Sequence, residues 1–188
     1  MATPHALKHN PAVTSPFNLF LLGLLGVVGV AYVLIGSITR DFLWFWPVFS
    51  QQPSEIILHC YGNEIPLAQD SPYFLPLTYR VEQQISGEKR LDDVDFSLEV
   101  YNQLKSSRTK ASLEIHFSRP VRIHSHRSYF TDVDTLLYVV GGDKERWVSI
   151  YGLKDGQPVA GRLRIAGTPM VADYLSQEKL CAGPYEGK

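Results

Sequence analysis

Hydrophobic and polar positions divide the chain into two regimes. From Leu19 to Ile38 no residue is charged, and Tyr32 and Ser37 are the only polar side chains. Twenty residues of α-helix rise about 30 Å, the thickness of a bilayer's hydrocarbon core. A secretory signal has a shorter apolar region, followed by a small-x-small cleavage site. VLIGSITR, at the end of this run, contains no such triplet. The pattern therefore predicts a retained transmembrane helix over 17–39, behind a disordered tail over 1–16. Segment 40–52 follows as an aromatic juxtamembrane stretch. Its RDFLWFWPVF packs Phe42, Trp44, Phe45, Trp46 and Phe49 into eight positions, and Trp44 and Trp46 read as anchors at the headgroup level.

Past Gln51 the period becomes two. EIILHC (55–60), TYRVEQQI (78–85), VDFSLEVY (94–101), ASLEIHF (111–117) and VRIHSH (121–126) read as strands, as do LLYVVGG (136–142), RWVSIYGL (146–153) and PVAGRLRI (158–165). SGEK, GGDKER and KDGQ supply turns, with Asp155-Gly156 the strongest tight-turn signal. Short strands without intervening helices favour an antiparallel β-sandwich, Ig-like or similar, over 53–170. TPMVADYLSQEKL then predicts a short helix, with Thr168 as N-cap, Pro169 at the first position and Val171, Tyr174 and Leu175 on one face. That helix and a loose tail make up 171–188.

Composition narrows the partners. The formal charge of the 188 residues is −1, so no basic face argues for nucleic acid. Lys8 and the terminal amine precede the apolar run, whereas Arg40 beyond it is offset by Asp41. The positive-inside tendency favours a cytoplasmic N-terminus and an extracytoplasmic C-terminal domain. On that side Cys60 and Cys181 have the option of a single disulfide, provided the fold brings them together. Gly23, Gly26 and Gly29 recur every third residue and give the helix a small-residue face, open to another helix or to lipid.

Candidate chemistry is thin. His124 and His126 point to one side of a strand, about 6.6 Å apart. Asp132 or Asp134 would complete a transition-metal shell, with His116 and His59 as further donors. Arg122 and Arg127 beside them oppose a cation, and solvent-facing histidines are the simpler reading. There is no G-x-S-x-G, H-E-x-x-H, P-loop or dinucleotide fingerprint. No catalytic or cofactor-binding residue is assigned. The sequence thus favours a non-enzymatic, single-pass membrane protein. It would display a β domain that binds another membrane or surface protein, or a polymer, as an accessory or assembly subunit. A tethered metal-binding protein using His124 and His126 is the alternative.

Overall fold

The computed structural model of the protein describes residues 15–46, 48–124, 130–140, 147–166 and 170–181. Helix α1 spans Pro16–Thr39, and only 6% of its most apolar 18-residue window is buried, at a mean hydropathy of 2.5. Pro16 opens it at a position where a missing N–H costs nothing. Arg40 closes it in the left-handed conformation, and the Asp41 N–H returns to the Gly36 carbonyl.

The elements that follow are β1 (Glu55–Cys60), β2 (Asn63–Leu67), α2 (Phe74–Ile85), β3 (Lys89–Asp92), α3 (Leu98–Lys105), β4 (Ala111–Val121), β5 (Val133–Val140), β6 (Trp147–Lys154), β7 (Gln157–Pro158), β8 (Arg162–Ala166) and α4 (Met170–Gln177). The eight strands make one antiparallel sheet in the order β2-β1-β4-β5-β6-β8-β3, with β7 attached to β6. A mostly antiparallel β fold behind an apolar helix is therefore present. Among the described residues the strands make one sheet and not the facing pair expected for a sandwich, because two of the expected strands are helices and helices cover the sheet.

TYRVEQQI belongs to α2. The residues buried there, Phe74, Leu77, Thr78, Val81, Gln84 and Ile85, fall at spacings of three and four rather than two. Pro76 is tolerated because it lies in the first turn. VDFSLEVY breaks at Ser97, whose Oγ accepts from the Val100 N–H and caps α3. VRIHSH leaves the strand at Val121. β2 and β3 were not expected, and the hairpin joining β1 to β2 turns through Tyr61 and Gly62, both with positive φ. Asp155 and Gly156 turn β6 into β7 in the same way, as the sequence predicted.

Alternation gives the sheet two faces. Ile56 and Leu58 of β1, Leu113 and Ile115 of β4, Leu136 and Tyr138 of β5, and Leu163 and Ile165 of β8 lie on the first. Phe74, Leu77, Val81 and Ile85 of α2 and Val171, Tyr174 and Leu175 of α4 close over them. The two helices also meet through the Arg80 guanidinium, 4.1 Å above the Tyr174 ring. The second face carries a smaller apolar cluster, in which Phe96 and Tyr101 pack on Leu137 and Leu153. Phe96 stacks on Tyr151 at 4.4 Å.

At the β2 edge the register sets which backbone groups face outward. Cys60 and Asn63 close the two-residue turn, so the alternate residues Glu64 and Pro66 direct theirs away from β1. The outward position nearest the end of β2 is thus occupied by a residue without an N–H.

Candidate functional site

Two clusters of polar side chains stand out: one on the second face of the sheet, the other where α1 meets the domain. The first centres on Glu114, which β4 places beneath α3 and which is 3% exposed. Its Oε2 receives His59 Nε2 at 2.8 Å and Lys105 Nζ at 2.7 Å. Its Oε1 receives the Tyr101 hydroxyl and faces His116 Nε2 at 3.3 Å. Tyr101 and Lys105 sit four residues apart on α3, hence on one helical face. His59 and His116 come from β1 and β4.

Burial alone would raise the Glu114 pKa. The hydrogen bonds from His116, His59, Lys105 and Tyr101 outweigh it and hold the carboxyl far below the usual range. Burial, then the bond to Glu114 and its charge, push the Tyr101 hydroxyl well above its ordinary value. The same carboxylate raises His116 against the opposing effect of burial. The network continues outward as His116 Nδ1 meets Thr135 Oγ1 at 3.1 Å, and Thr135 donates to Asp134 at 2.9 Å. Two side chains thus face each oxygen of Glu114. The arrangement clamps α3 to the sheet.

The second cluster joins the apolar helix to the domain. Asp41, 4% exposed, accepts from His124 Nδ1 at 2.9 Å and from the Leu43 N–H at 2.9 Å. Arg122 Nη1 donates to the Arg40 carbonyl at 2.9 Å. Further on, the Phe49 N–H donates to Ser86 Oγ at the end of α2, and the Phe49 ring meets Phe117 edge-on. The fifteen-residue path from α1 to β1 is therefore pinned at several points.

These contacts relocate the candidate metal ligands. His124 is engaged with Asp41. Asp132 lies 3.7 Å from Arg122 and 3.8 Å from Lys154, and Asp134 accepts from Thr135 and from the Asp155 N–H. His59 and His116 converge on Glu114 instead of on His124. His126 lies outside the described residues, as do Thr168 and Pro169. Among the described residues no group of three or more His, Cys, Asp or Glu side chains is placed to hold a metal ion.

Cys60 and Cys181 are joined as a disulfide with Cα atoms 5.3 Å apart, tying the chain after α4 to β1. Gly23, Gly26 and Gly29 present an open face, where an added Cβ would meet nothing within 4 Å. Trp46 is exposed and Trp44 half-buried. Sequence reasoning missed Glu114 because ASLEIHF assigns it to the wet face. The available signal was the cap at Ser97, which predicts a helix able to cover that face.

No protein-family model matches the sequence. No curated protein matches it either. Among solved structures the chain is similar to YycH from Bacillus subtilis, with a TM-score of 0.52 at 11% identity. The match covers 70% of this chain and 38% of YycH, so the chain spans well under half the length of that protein. The likeness speaks to the fold.

Proposed function

We propose that the protein is a single-pass membrane protein, anchored by α1, whose sheet domain stands outside the cytoplasm and binds another protein as a non-catalytic accessory or assembly subunit. The observation that carries this reading is the exposure of α1. Within the 24-residue helix an 18-residue window of mean hydropathy 2.5 is only 6% buried, which leaves most of its apolar side chains without a protein partner. Their transfer from water to lipid is favourable at roughly 25 cal/mol per Å². The pairing of Cys60 with Cys181 supports an oxidising compartment for the domain, in keeping with the basic residue before the helix. The donor set around Glu114 supports a structural role over a catalytic one.

Alkaline extraction of native membranes tests the anchor, with the full chain expected to stay in the pellet. Protease added to intact cells or spheroplasts tests the side, with digestion of the domain expected. Photocrosslinkers at Gly23 and Gly26 and on the domain surface test for a partner, with a discrete adduct expected. A chain released by alkali would overturn the anchor. A chain that stays a solitary monomer at every crosslinking position would overturn the subunit role.

A further inference from the structure

The aromatic segment after α1 does not run away from the helix. Tyr32 Oη donates to the Phe42 carbonyl at 2.8 Å, and the Tyr32 ring lies 6.1 Å from the rings of both Phe42 and Phe45. Tyr32 is seven residues before the end of α1, roughly 10 Å along its axis. Phe42 packs against the helix at Gly36, where an added Cβ would lie 2.6 Å from the Phe42 ring. The turn that makes this return is held by Asp41, whose carboxylate accepts from the Leu43 N–H while gripped by His124. Its outer side is apolar: Phe42, Leu43, Phe45, Trp46 and Val48 are between 48% and 53% exposed, and Phe42 and Phe45 lie against Tyr32 of α1.

We propose that residues 41–46 form a second membrane-inserting element, a short aromatic wedge that enters the lipid alongside the last two turns of α1. Acyl chains at the headgroup boundary would contact Phe42, Phe45 and Trp46. The inference rests on α1 as the anchor and goes beyond it, because an anchor alone requires only that the chain leave the bilayer at Arg40. Lipid is the occupant that the geometry favours. The wedge is continuous with a helix surface of the same chemistry, and its rings lie beside the helix below Arg40. Benzene-like and indole rings partition to that depth.

The test uses the full chain reconstituted in phosphatidylcholine vesicles whose acyl chains are brominated at shallow or deep positions. Trp46 emission is taken as the difference between the unaltered chain and Trp46→Phe. The expected result is loss of most Trp46 emission with shallow bromines, a smaller loss with deep ones, and little quenching by aqueous acrylamide. Gly36→Leu, which denies Phe42 its seat and leaves every exposed ring in place, should restore Trp46 emission in bromolipid and raise its quenching by acrylamide. Trp46 open to acrylamide in a vesicle-bound, alkali-resistant chain would overturn the wedge and leave the anchor standing. Trp46 shielded from both quenchers would also overturn it, by assigning the surface to a protein contact. A chain that fails to sediment with vesicles would overturn both.

Discussion

The two faces of the sheet are closed by different physics. On the first, α2 and α4 seal a continuous apolar layer in which Phe74, Leu77, Leu58, Leu113 and Leu136 are almost wholly buried. On the second, α3 covers a small apolar cluster and a carboxylate that receives two histidines, a lysine and a tyrosine. Apolar contact is non-directional and scales with area. A charge-assisted hub is directional, and losing one partner leaves the others desolvated. The first face should therefore respond to volume and the second to protons.

The largest separation between the faces is expected from Phe74→Ala, which empties a ring-sized space beneath α2. It should cost about 4 kcal/mol in denaturant unfolding, with the shape of the pH profile unchanged. Glu114→Gln should cost about 3 kcal/mol, the low end for breaking a buried ion pair, because Lys105 and His116 reach solvent. A cost under 1 kcal/mol would show that the hub is not what holds α3.

The pH profile sharpens this. Glu114 is lowered when folded, so its contribution is complete above the unfolded carboxylate value of 4.5 and is lost as pH falls. His116 is raised when folded, so its contribution is complete below the unfolded value of 6.5 and is lost as pH rises. Together they place the greatest hub stabilisation between about pH 4.5 and 6.5. Glu114→Gln should flatten both limbs, which urea titrations at several pH values would read.

Cys181→Ser should cost about 2–4 kcal/mol, compared with the unaltered chain under oxidising conditions, by freeing the end of α4 from β1. Equal stability with and without reductant in the unaltered chain would show that the bond contributes nothing. The smallest effect is expected from Ser97→Ala at the cap of α3, about 1 kcal/mol.

The same contrast explains what could be read from the sequence. The strands of the buried layer announce themselves, since Leu113, Ile115 and Phe117 alternate with polar residues and the flanking EIILHC and LLYVV are short apolar runs. The apolar helix announces itself by length. The helices were harder. A window cut at Thr78 leaves Tyr79, Val81 and Ile85, which fit a period of two, whereas Phe74 and Leu77 join Val81 and Ile85 on a helical face. Tyr79 proves to be 59% exposed. As a strand VDFSLEVY would pack Leu98 beside Val94, Phe96 and Val100, whereas on α3 Leu98 is 43% exposed. The hub was invisible for a different reason: Glu114 is 55 residues from His59, and only strand pairing brings them together. The Asp41–His124 contact spans 83 residues and was equally out of reach.

Pro66 has a consequence for the membrane residence proposed above. Chains confined to two dimensions meet far more often than the same number in solution, and an open strand edge would turn such encounters into ribbons. By presenting a pyrrolidine ring where a donor would otherwise project, β2 denies an incoming strand one of its in-register hydrogen bonds. One missing hydrogen thus weakens pairing along that margin.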